Sequence, residues 1–190
     1  MYKHIRNLWK KLTGEHKEMH RLRMVAWRKE NAIVKIDRPT RLDRARSVGY
    51  KAKKGYVLAR VRVNRGGRKR EQIKKGRRSK TSRRQKIVGK SYQWIAEERV
   101  QRKFENLEVL NSYFVGKDGI HYFYEVILVD PYRPEIKKDP KMEWICARSQ
   151  TNRVFRGKTS FARKSRGLRN KGKGAEKLRP SRRANKSRSK

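Results

Sequence analysis

Charge is distributed very unevenly along this 190-residue chain, and the distribution limits which part of it can form a hydrophobic core. Residues 91–147 carry eight basic and ten acidic side chains, the balance of an ordinary globular domain. Residues 60–90 and residues 153–190 carry net charges of +14 and +15, each with one acidic residue. Such segments bury too little apolar surface to offset the entropy lost on ordering. We therefore expect the folded core to be built around residues 91–147.

The whole chain carries 57 lysine and arginine residues against 17 acidic residues, a formal net charge of +40. Self-repulsion at this charge works against a compact chain in isolation. A polyanion relieves the repulsion, and nucleic acid phosphate is the usual partner of so basic a protein. The composition therefore predicts a protein that works in a complex with nucleic acid.

The length of the chain allows one domain, and its apolar fraction of 34% indicates a modest core with polar extensions. We expect residues 1–149 to form a single α+β domain with an embedded basic loop at residues 65–91. Residues 150–190 are expected to be a basic extension that threads between RNA helices and is disordered without RNA. The reason is that nothing after Arg148 indicates regular packing.

Hydrophobic periodicity indicates the secondary structure. Helical spacing predicts helices over residues 4–12, 15–30, 42–46 and 93–106, and strand-like patterns occur over residues 32–36, 56–64, 107–115 and 120–129. Glycines at 116 and 119 indicate a hairpin between the last two strands. After the first two helices, the order β-α-β-α-β-β favours a small mixed sheet covered by helices, in the α+β class. We expect Glu97 and Glu98 to face solvent on the helix over residues 93–106.

The sequence carries little sign of catalysis or of a metal site. Cys146 is the only cysteine, which excludes a disulfide framework and a multi-thiolate zinc site. His16 and His20 have the spacing of two metal ligands on one helix face, but no third ligand is near them. Glu97 and Glu98 are adjacent, so a helix directs them about 100° apart, which makes a poor acid–base pair. We expect no enzyme activity, no metal and no cofactor.

Two features of the sequence bear on where the protein works. The first residues lack the apolar stretch of a secretory signal peptide. No apolar run approaches the roughly twenty residues that span a membrane. We therefore expect a cytoplasmic protein.

Two basic motifs are candidates for binding RNA. Arg38, Arg41, Arg44 and Arg46 lie within nine residues around a predicted short helix, where guanidinium groups could hold phosphates. In Arg65-Gly66-Gly67-Arg68-Lys69-Arg70, the glycines let RNA approach the backbone while cations reach outward, and the motif lacks the Gly-Lys-Ser/Thr ending of a P-loop. The other candidates, chosen by charge and motif, are Tyr50, Lys51, Lys53, Lys54, Arg60, Arg62, Lys74, Lys75, Arg77, Arg78, Arg83, Arg84, Arg156, Lys158, Arg163, Lys164, Arg166, Arg169, Arg182 and Arg183.

Aromatic residues among these cations could stack on unpaired bases, as they do in many RNA-binding proteins. The candidates for stacking are Trp27, Tyr50, Tyr56 and Tyr92. Aromatic residues at strand or helix positions more often belong to the core. We assign Trp94, Phe123 and Trp144 to the core.

Three stretches of the chain go beyond composition. The first runs from Pro39 to Lys53 and continues through residues 65–70. The second comprises Ala96-Glu97-Glu98-Arg99, Val109-Leu110-Asn111-Ser112-Tyr113 and residues 125–131. The third is Arg156-Gly157-Lys158-Thr159-Ser160 followed by residues 163–168. Together they closely resemble the large-subunit ribosomal protein family fifteen-e of archaea and eukaryotes, and the ending at Lys190 is more like that of archaeal members.

This resemblance implies a structural protein of the large ribosomal subunit that binds large-subunit ribosomal RNA without catalysis. It implies an α+β core whose extensions thread between RNA helices. The implied partners are ribosomal RNA and neighbouring large-subunit proteins, with no membrane and no homo-oligomer. Family resemblance does not assign individual cations to phosphates, and residues 74–90 are the least family-like part of the chain.

Two other classes of protein are compared with this one. A DNA-compacting architectural protein would also be basic, but it would carry a repeated or dimer-forming basic module, and the sequence has no internal repeat. An RNA-modifying or RNA-cleaving enzyme would need converging acids, a nucleophile or a cofactor loop. The sequence favours the ribosomal RNA-binding protein over both.

Overall fold

A computed structural model describes residues 1–69, 75–76, 85–86, 88–170, 172 and 174–186, with backbone alone at 68, 69, 85 and 86. Six of the candidate RNA-binding residues lie outside the described residues: Arg70, Lys74, Arg77, Arg78, Arg83 and Arg84. In the part of the chain that is described, no helix is long and apolar enough to cross a membrane.

The predicted α+β class is confirmed. Six α-helices and six strands are described: α1 Tyr2–Lys10, α2 Gly14–Lys29, β1 Ile33–Ile36, α3 Leu42–Ser47, β2 Tyr56–Asn64, β3 Arg68–Lys69, β4 Gln85–Lys86, α4 Tyr92–Lys103, β5 Glu108–Lys117, β6 His121–Val129, α5 Pro134–Lys137 and α6 Ser160–Ser165. Four of the strands form the main sheet in the order β1-β2-β6-β5, and β3 pairs with β4 separately.

The prediction of a mixed sheet is wrong for the described strands, because every pairing among them is antiparallel. The tight turn after Lys117 returns β6 directly alongside β5, which only an antiparallel pair allows. In the centre of the sheet, β2 pairs with β6 from Tyr56 opposite Val129 to Asn64 opposite His121.

Helices cover both faces of the sheet. On one face, Val61, Val126 and Leu128 pack with Trp94 and Val100 of α4. On the other face the strands contribute Leu58, Phe123 and Ile127, which pack with Trp27 of α2 and Ala45 of α3. Consecutive residues of a strand point to opposite faces, and both faces of this sheet are covered. The central strand β6 is therefore buried along most of its length.

Strand β5 carries two register irregularities, between Val109 and Asn111 and between Phe114 and Gly116. The second lies under α2. A Cβ atom on Gly116 would lie 2.9 Å from Nε2 of His20 and 3.0 Å from Sδ of Met24. Glycine at this position therefore lets α2 approach the sheet closely.

The expectation that nothing packs regularly after Arg148 is wrong for the residues that follow it. Val154, Thr159 and Ala162 are fully buried. The indole nitrogen of Trp94 donates a hydrogen bond of 3.1 Å to the carbonyl of Val154, and Thr159 caps α6. The sequence did not indicate this packing because three buried residues among many cations produce no periodicity.

The prediction that Glu97 and Glu98 face solvent is also wrong. Glu97 is completely buried, where it accepts hydrogen bonds from the hydroxyls of Ser112 and Thr159, the latter at 2.6 Å. Desolvation raises the pKa of Glu97 to about 7. Glu98 is 6% exposed and forms an ion pair of 2.6 Å with Lys90. Thr159, which covers this side of α4, lies 62 positions after Glu97 in the sequence. Local periodicity cannot reveal so distant a contact.

Glu125 is a second buried carboxylate, on the opposite face of the sheet. It accepts hydrogen bonds from the Thr40 amide at 3.1 Å, from the Thr40 hydroxyl and from the Tyr113 hydroxyl. Desolvation raises its pKa above the ordinary value. These bonds tie the segment before α3 to the β5–β6 hairpin, so the carboxylate has a structural role in the fold.

Replacing Ile127 with alanine should destabilise the domain by about 2–5 kcal/mol, because the side chain is fully buried and its removal leaves a cavity. Ile120 provides a matched control, since its side chain is 64% exposed in the hairpin turn. Ile120→Ala should change stability by no more than about 0.5 kcal/mol. Urea unfolding of the two variants measures the difference, and equal losses would contradict the assignment of the core.

Glu97 should make stability fall as pH rises from about 4.5 to 7. Its folded-state pKa is raised, so within this window the folded chain keeps a proton that the unfolded chain releases. The loss should be up to about 3 kcal/mol. Glu97→Gln should remove this part of the pH dependence of unfolding, whereas Glu105→Gln at an exposed position should leave it unchanged. A wild-type pH profile in Glu97→Gln would contradict the burial of a protonated carboxyl.

Candidate nucleic-acid interface

Several of the predicted RNA-binding cations are bonded within the protein. Lys51 and Lys53 both form ion pairs with Asp139, with Nζ to Oδ2 distances of 2.7 and 2.8 Å. Lys53 also donates to the carbonyl of Glu135 at 3.0 Å. Hydrogen bonds from these two ammonium groups hold the pKa of Asp139 well below its usual range. The two lysines therefore connect the turn after Tyr50 to the segment that contains α5.

Arg41 and Arg60 are held against tryptophan rings. The Arg41 guanidinium lies 4.9 Å from the centre of the Trp9 ring and forms an ion pair of 3.3 Å with buried Asp43. Arg60 lies 4.5 Å from the centre of the Trp27 ring and pairs with Glu30. Both side chains are mostly covered, at 17% and 13% exposure. Their charges hold α1, α2 and α3 in place on the sheet.

A third set of cations donates to backbone carbonyls. Arg62 bonds to the carbonyl of Arg28 and Arg65 to that of Asp118, the latter at 2.7 Å. In the C-terminal region Lys158 donates to the Ser149 carbonyl at 2.8 Å, and Arg166 to the Gly157 carbonyl at 3.0 Å. Arg156 bonds to two carbonyls of the same region, and Arg169 bonds to the Ser160 hydroxyl. These cations close turns of the chain, yet most of them remain accessible to solvent.

Eight of the predicted cations are exposed and have neither an ion pair nor a hydrogen bond to another described residue. They are Arg38, Arg44, Arg46, Lys54, Arg163, Lys164, Arg182 and Arg183. Lys75 is also exposed. We call the eight residues the free cations. Arg44 and Arg46 come from α3, and Arg163 and Lys164 come from α6, so regular structure holds four of them.

Tyr50, a candidate for stacking on RNA, is buried in the structure. The side chain is 9% exposed and belongs to the core under the sheet, with its ring edge-on to Tyr56 at 6.1 Å. Trp27, another stacking candidate, is 6% exposed. The basic neighbours of Tyr50 suggested a surface position, but α3 and the following turn fold its ring inward.

The assignment of Trp144 to the core is wrong, whereas Trp94 and Phe123 are buried as predicted. Trp144 is 42% exposed and its ring lies 4.9 Å from the guanidinium of Arg153. Together with Lys158, Arg163 and Arg169 these two residues line a groove of about 520 Å³, which we call the Trp144 groove. An exposed aromatic ring among cations suits single-stranded nucleic acid.

Arg153 was missed by sequence reasoning. It is 8% exposed, and its guanidinium donates to the carbonyls of Val109 at 2.9 Å and Leu110 at 3.0 Å. Burial lowers its pKa, an effect that Glu97 and Glu108 oppose. Arg153 follows Asn152, a non-glycine residue with φ of +54°. Nothing in the sequence around it indicates that its side chain is buried.

The glycine motif begins where β2 ends. Gly66 has φ of +88°, a conformation that favours glycine, and it is exposed. Its amide donates to the hydroxyl of Tyr92 at 2.9 Å, and that hydroxyl donates to the Gly66 carbonyl at 3.1 Å. Beyond exposed Gly67, the backbones of Arg68 and Lys69 pair with those of Lys86 and Gln85.

No cluster of three metal-ligating side chains occurs among the described residues. His20, one of the two histidines at ligand spacing, instead packs edge-on between the rings of Trp9 and Trp27, at 5.2 and 6.0 Å. Burial lowers its pKa. An aromatic packing role accounts for this histidine.

Comparisons with known proteins identify the family of this basic chain. The family model described as ribosomal L15, of the L15e type, matches residues 1–185. The large ribosomal subunit protein eL15 of Nanoarchaeum equitans is 53% identical over 185 residues, 97% of either chain. That of Methanococcoides burtonii is 51% identical over 191 residues, covering 100% of this chain and 97% of its own. The chain therefore belongs to the L15e family of ribosomal proteins, whose members are structural, non-enzymatic components of the large ribosomal subunit.

Proposed function

We propose that this protein binds large-subunit ribosomal RNA through phosphate contacts and thereby supports assembly of the subunit and translation. Its partners are that RNA and neighbouring large-subunit ribosomal proteins, and it acts as a single copy in the cytoplasmic ribosome. Residues 150–190 thread between RNA helices, with residues 153–162 anchored on the domain. The charge of +40 and the family membership support this proposal.

The observation that carries the proposal is the division of the cations into two sets. Lys51, Lys53 and Arg60 have carboxylate partners inside the fold. The free cations have none among the described residues. Each cation that meets a phosphate releases condensed counterions, which is the main source of affinity for nucleic acid. RNA therefore supplies the anionic partner that the protein lacks.

The Trp144 groove is the part of this surface where phosphate and base contacts could occur together. Arg163 and Lys158 could hold consecutive phosphates, while Trp144 offers a ring face to an unpaired base. Arg153, buried behind the groove, keeps its charge next to that ring. This groove lies on the anchored portion of the C-terminal region.

Binding of the 190-residue protein to a fragment of large-subunit ribosomal RNA should depend strongly on salt. If about ten cations meet phosphates, log affinity should fall against log salt with a slope of about −7 to −9. Titrations at several salt concentrations measure the slope. A slope shallower than about −3 would show that most of the charge does not contact phosphate.

Replacing Arg163 and Lys164 together with alanine should flatten the salt slope by up to about two units, because two phosphate contacts are lost. Stability should change by no more than about 0.5 kcal/mol, since both side chains are exposed on α6. Lys51→Ala with Lys53→Ala is the matched control, because it removes the same charge from a pair already bound to Asp139. Equal flattening in both double variants would contradict the distinction between free and paired cations.

A further inference from the structure

A second groove lies on another side of α6, between that helix and the glycine motif. Its lining includes Gly66, Gly67, Tyr92, Tyr122, Phe161 and Lys164, and its volume is about 620 Å³. We call it the tyrosine groove. The volume lies within the range of about 300–1,000 Å³ that is usual for small-molecule sites. It is larger than the Trp144 groove, whose volume is about 520 Å³.

Aromatic rings form one wall of the tyrosine groove. The centres of the Tyr92 and Tyr122 rings are 5.0 Å apart with their planes inclined by 31°, and Tyr124 continues the row at 6.2 Å and 33° from Tyr122. Tyr92, Tyr122 and Phe161 are only partly buried. The groove is therefore lined by aromatic surface, against which a further flat ring could stack.

The rings are held in place by the protein. The Tyr92 hydroxyl bonds to both the amide and the carbonyl of Gly66, and the Ser91 amide donates to the Ser165 hydroxyl at 3.1 Å. These bonds connect α4 to the end of β2 and to α6. A site with fixed walls loses less conformational entropy when a ligand enters it.

Cations surround this apolar wall. Lys164, a free cation, lines the groove, and so does Lys90, whose partner is Glu98. The Arg65 guanidinium lies 5.2 Å from the centre of the Tyr122 ring. An occupant should therefore combine a flat aromatic face with negative charge close to it. A nucleotide of single-stranded RNA has both, whereas an apolar protein side chain has no charge for these cations to meet.

We infer that the tyrosine groove holds one unpaired nucleobase of RNA, stacked on the row of rings that includes Tyr92 and Tyr122, with its phosphate near Lys164. This inference rests on the proposed RNA-binding function and adds to it a base-binding subsite separate from the phosphate contacts. The subsite recognises the face of a base and is therefore tolerant of its identity.

The experiment uses the 190-residue protein and two RNA probes. One is a twelve-nucleotide uridine oligomer with a central adenosine, and the other is an oligomer of twelve abasic positions, which keeps the phosphates and has no base to stack. Tyr92→Leu and Phe161→Leu each remove a ring and keep an apolar side chain. Tyr92→Phe removes the hydroxyl bonds to Gly66 but keeps the ring, so it separates stacking from the loss of those bonds.

Each leucine variant should bind the adenosine probe about 5- to 100-fold more weakly than wild type, with an unchanged salt slope. Tyr92→Phe should stay within about twofold of wild type. On the abasic probe all four proteins should bind within about twofold of one another. Thermal unfolding of each variant confirms that it is folded, and the two leucine variants are independent of each other.

Three results would overturn the inference. The leucine variants could bind the adenosine probe as wild type does, could lose equal affinity for both probes, or could show a flatter salt slope. Retained RNA binding with loss of a neighbouring ribosomal protein from reconstituted subunits would assign the groove to that protein instead. If wild type itself bound RNA without salt dependence, the proposed function would fail, a result distinct from the three above.

Discussion

Nine antiparallel residue pairs between β2 and β6 join the basic N-terminal third of the chain to its charge-balanced middle, and both helical layers pack on this ladder. The pairing places β2, with Arg60 and Arg62, beside a strand that is buried on both faces. Burial of β6 supplies the apolar area that a chain with so little hydrophobic content needs in order to fold. The basic surface exists in a defined arrangement because this ladder is continuous over nine residue pairs.

The few acidic residues have definite places in this arrangement. Glu97 and Glu125 are buried on opposite faces of the sheet, and each receives hydroxyl hydrogen bonds from segments distant in sequence. Asp139 and Glu30 instead neutralise cations at the edges of the domain. Carboxylates thus hold the fold together at selected points, and the remaining positive charge is left to face the solvent or a partner. A protein with evenly scattered acids would offer no such surface.

Local patterns predicted the class of the fold and the approximate positions of the main elements, because periodicity depends on residues close in sequence. They failed where the decisive contact comes from far along the chain. Glu97 was placed outside because Thr159, which covers it, lies 62 residues away. Tyr50 and Trp144 show a related limit. Cations beside Tyr50 suggested the surface and apolar neighbours of Trp144 suggested the core, but neighbours in sequence do not determine which ring the fold covers. Within the candidate interface, the sequence listed the cations, whereas only the structure separates paired Lys51 from free Arg163.

The double hydrogen bond between Tyr92 and Gly66 has a consequence for the chain that connects them. It fastens the two ends of the basic loop to each other, and the rest of the domain does not depend on the length of the loop. The entropy of closing such a loop grows only logarithmically, by about 0.6 kcal/mol for each doubling of its length. Insertions and deletions between these two residues can therefore accumulate with little effect on the stability of the domain. The length of this basic segment can thus change while the sheet beneath it stays the same.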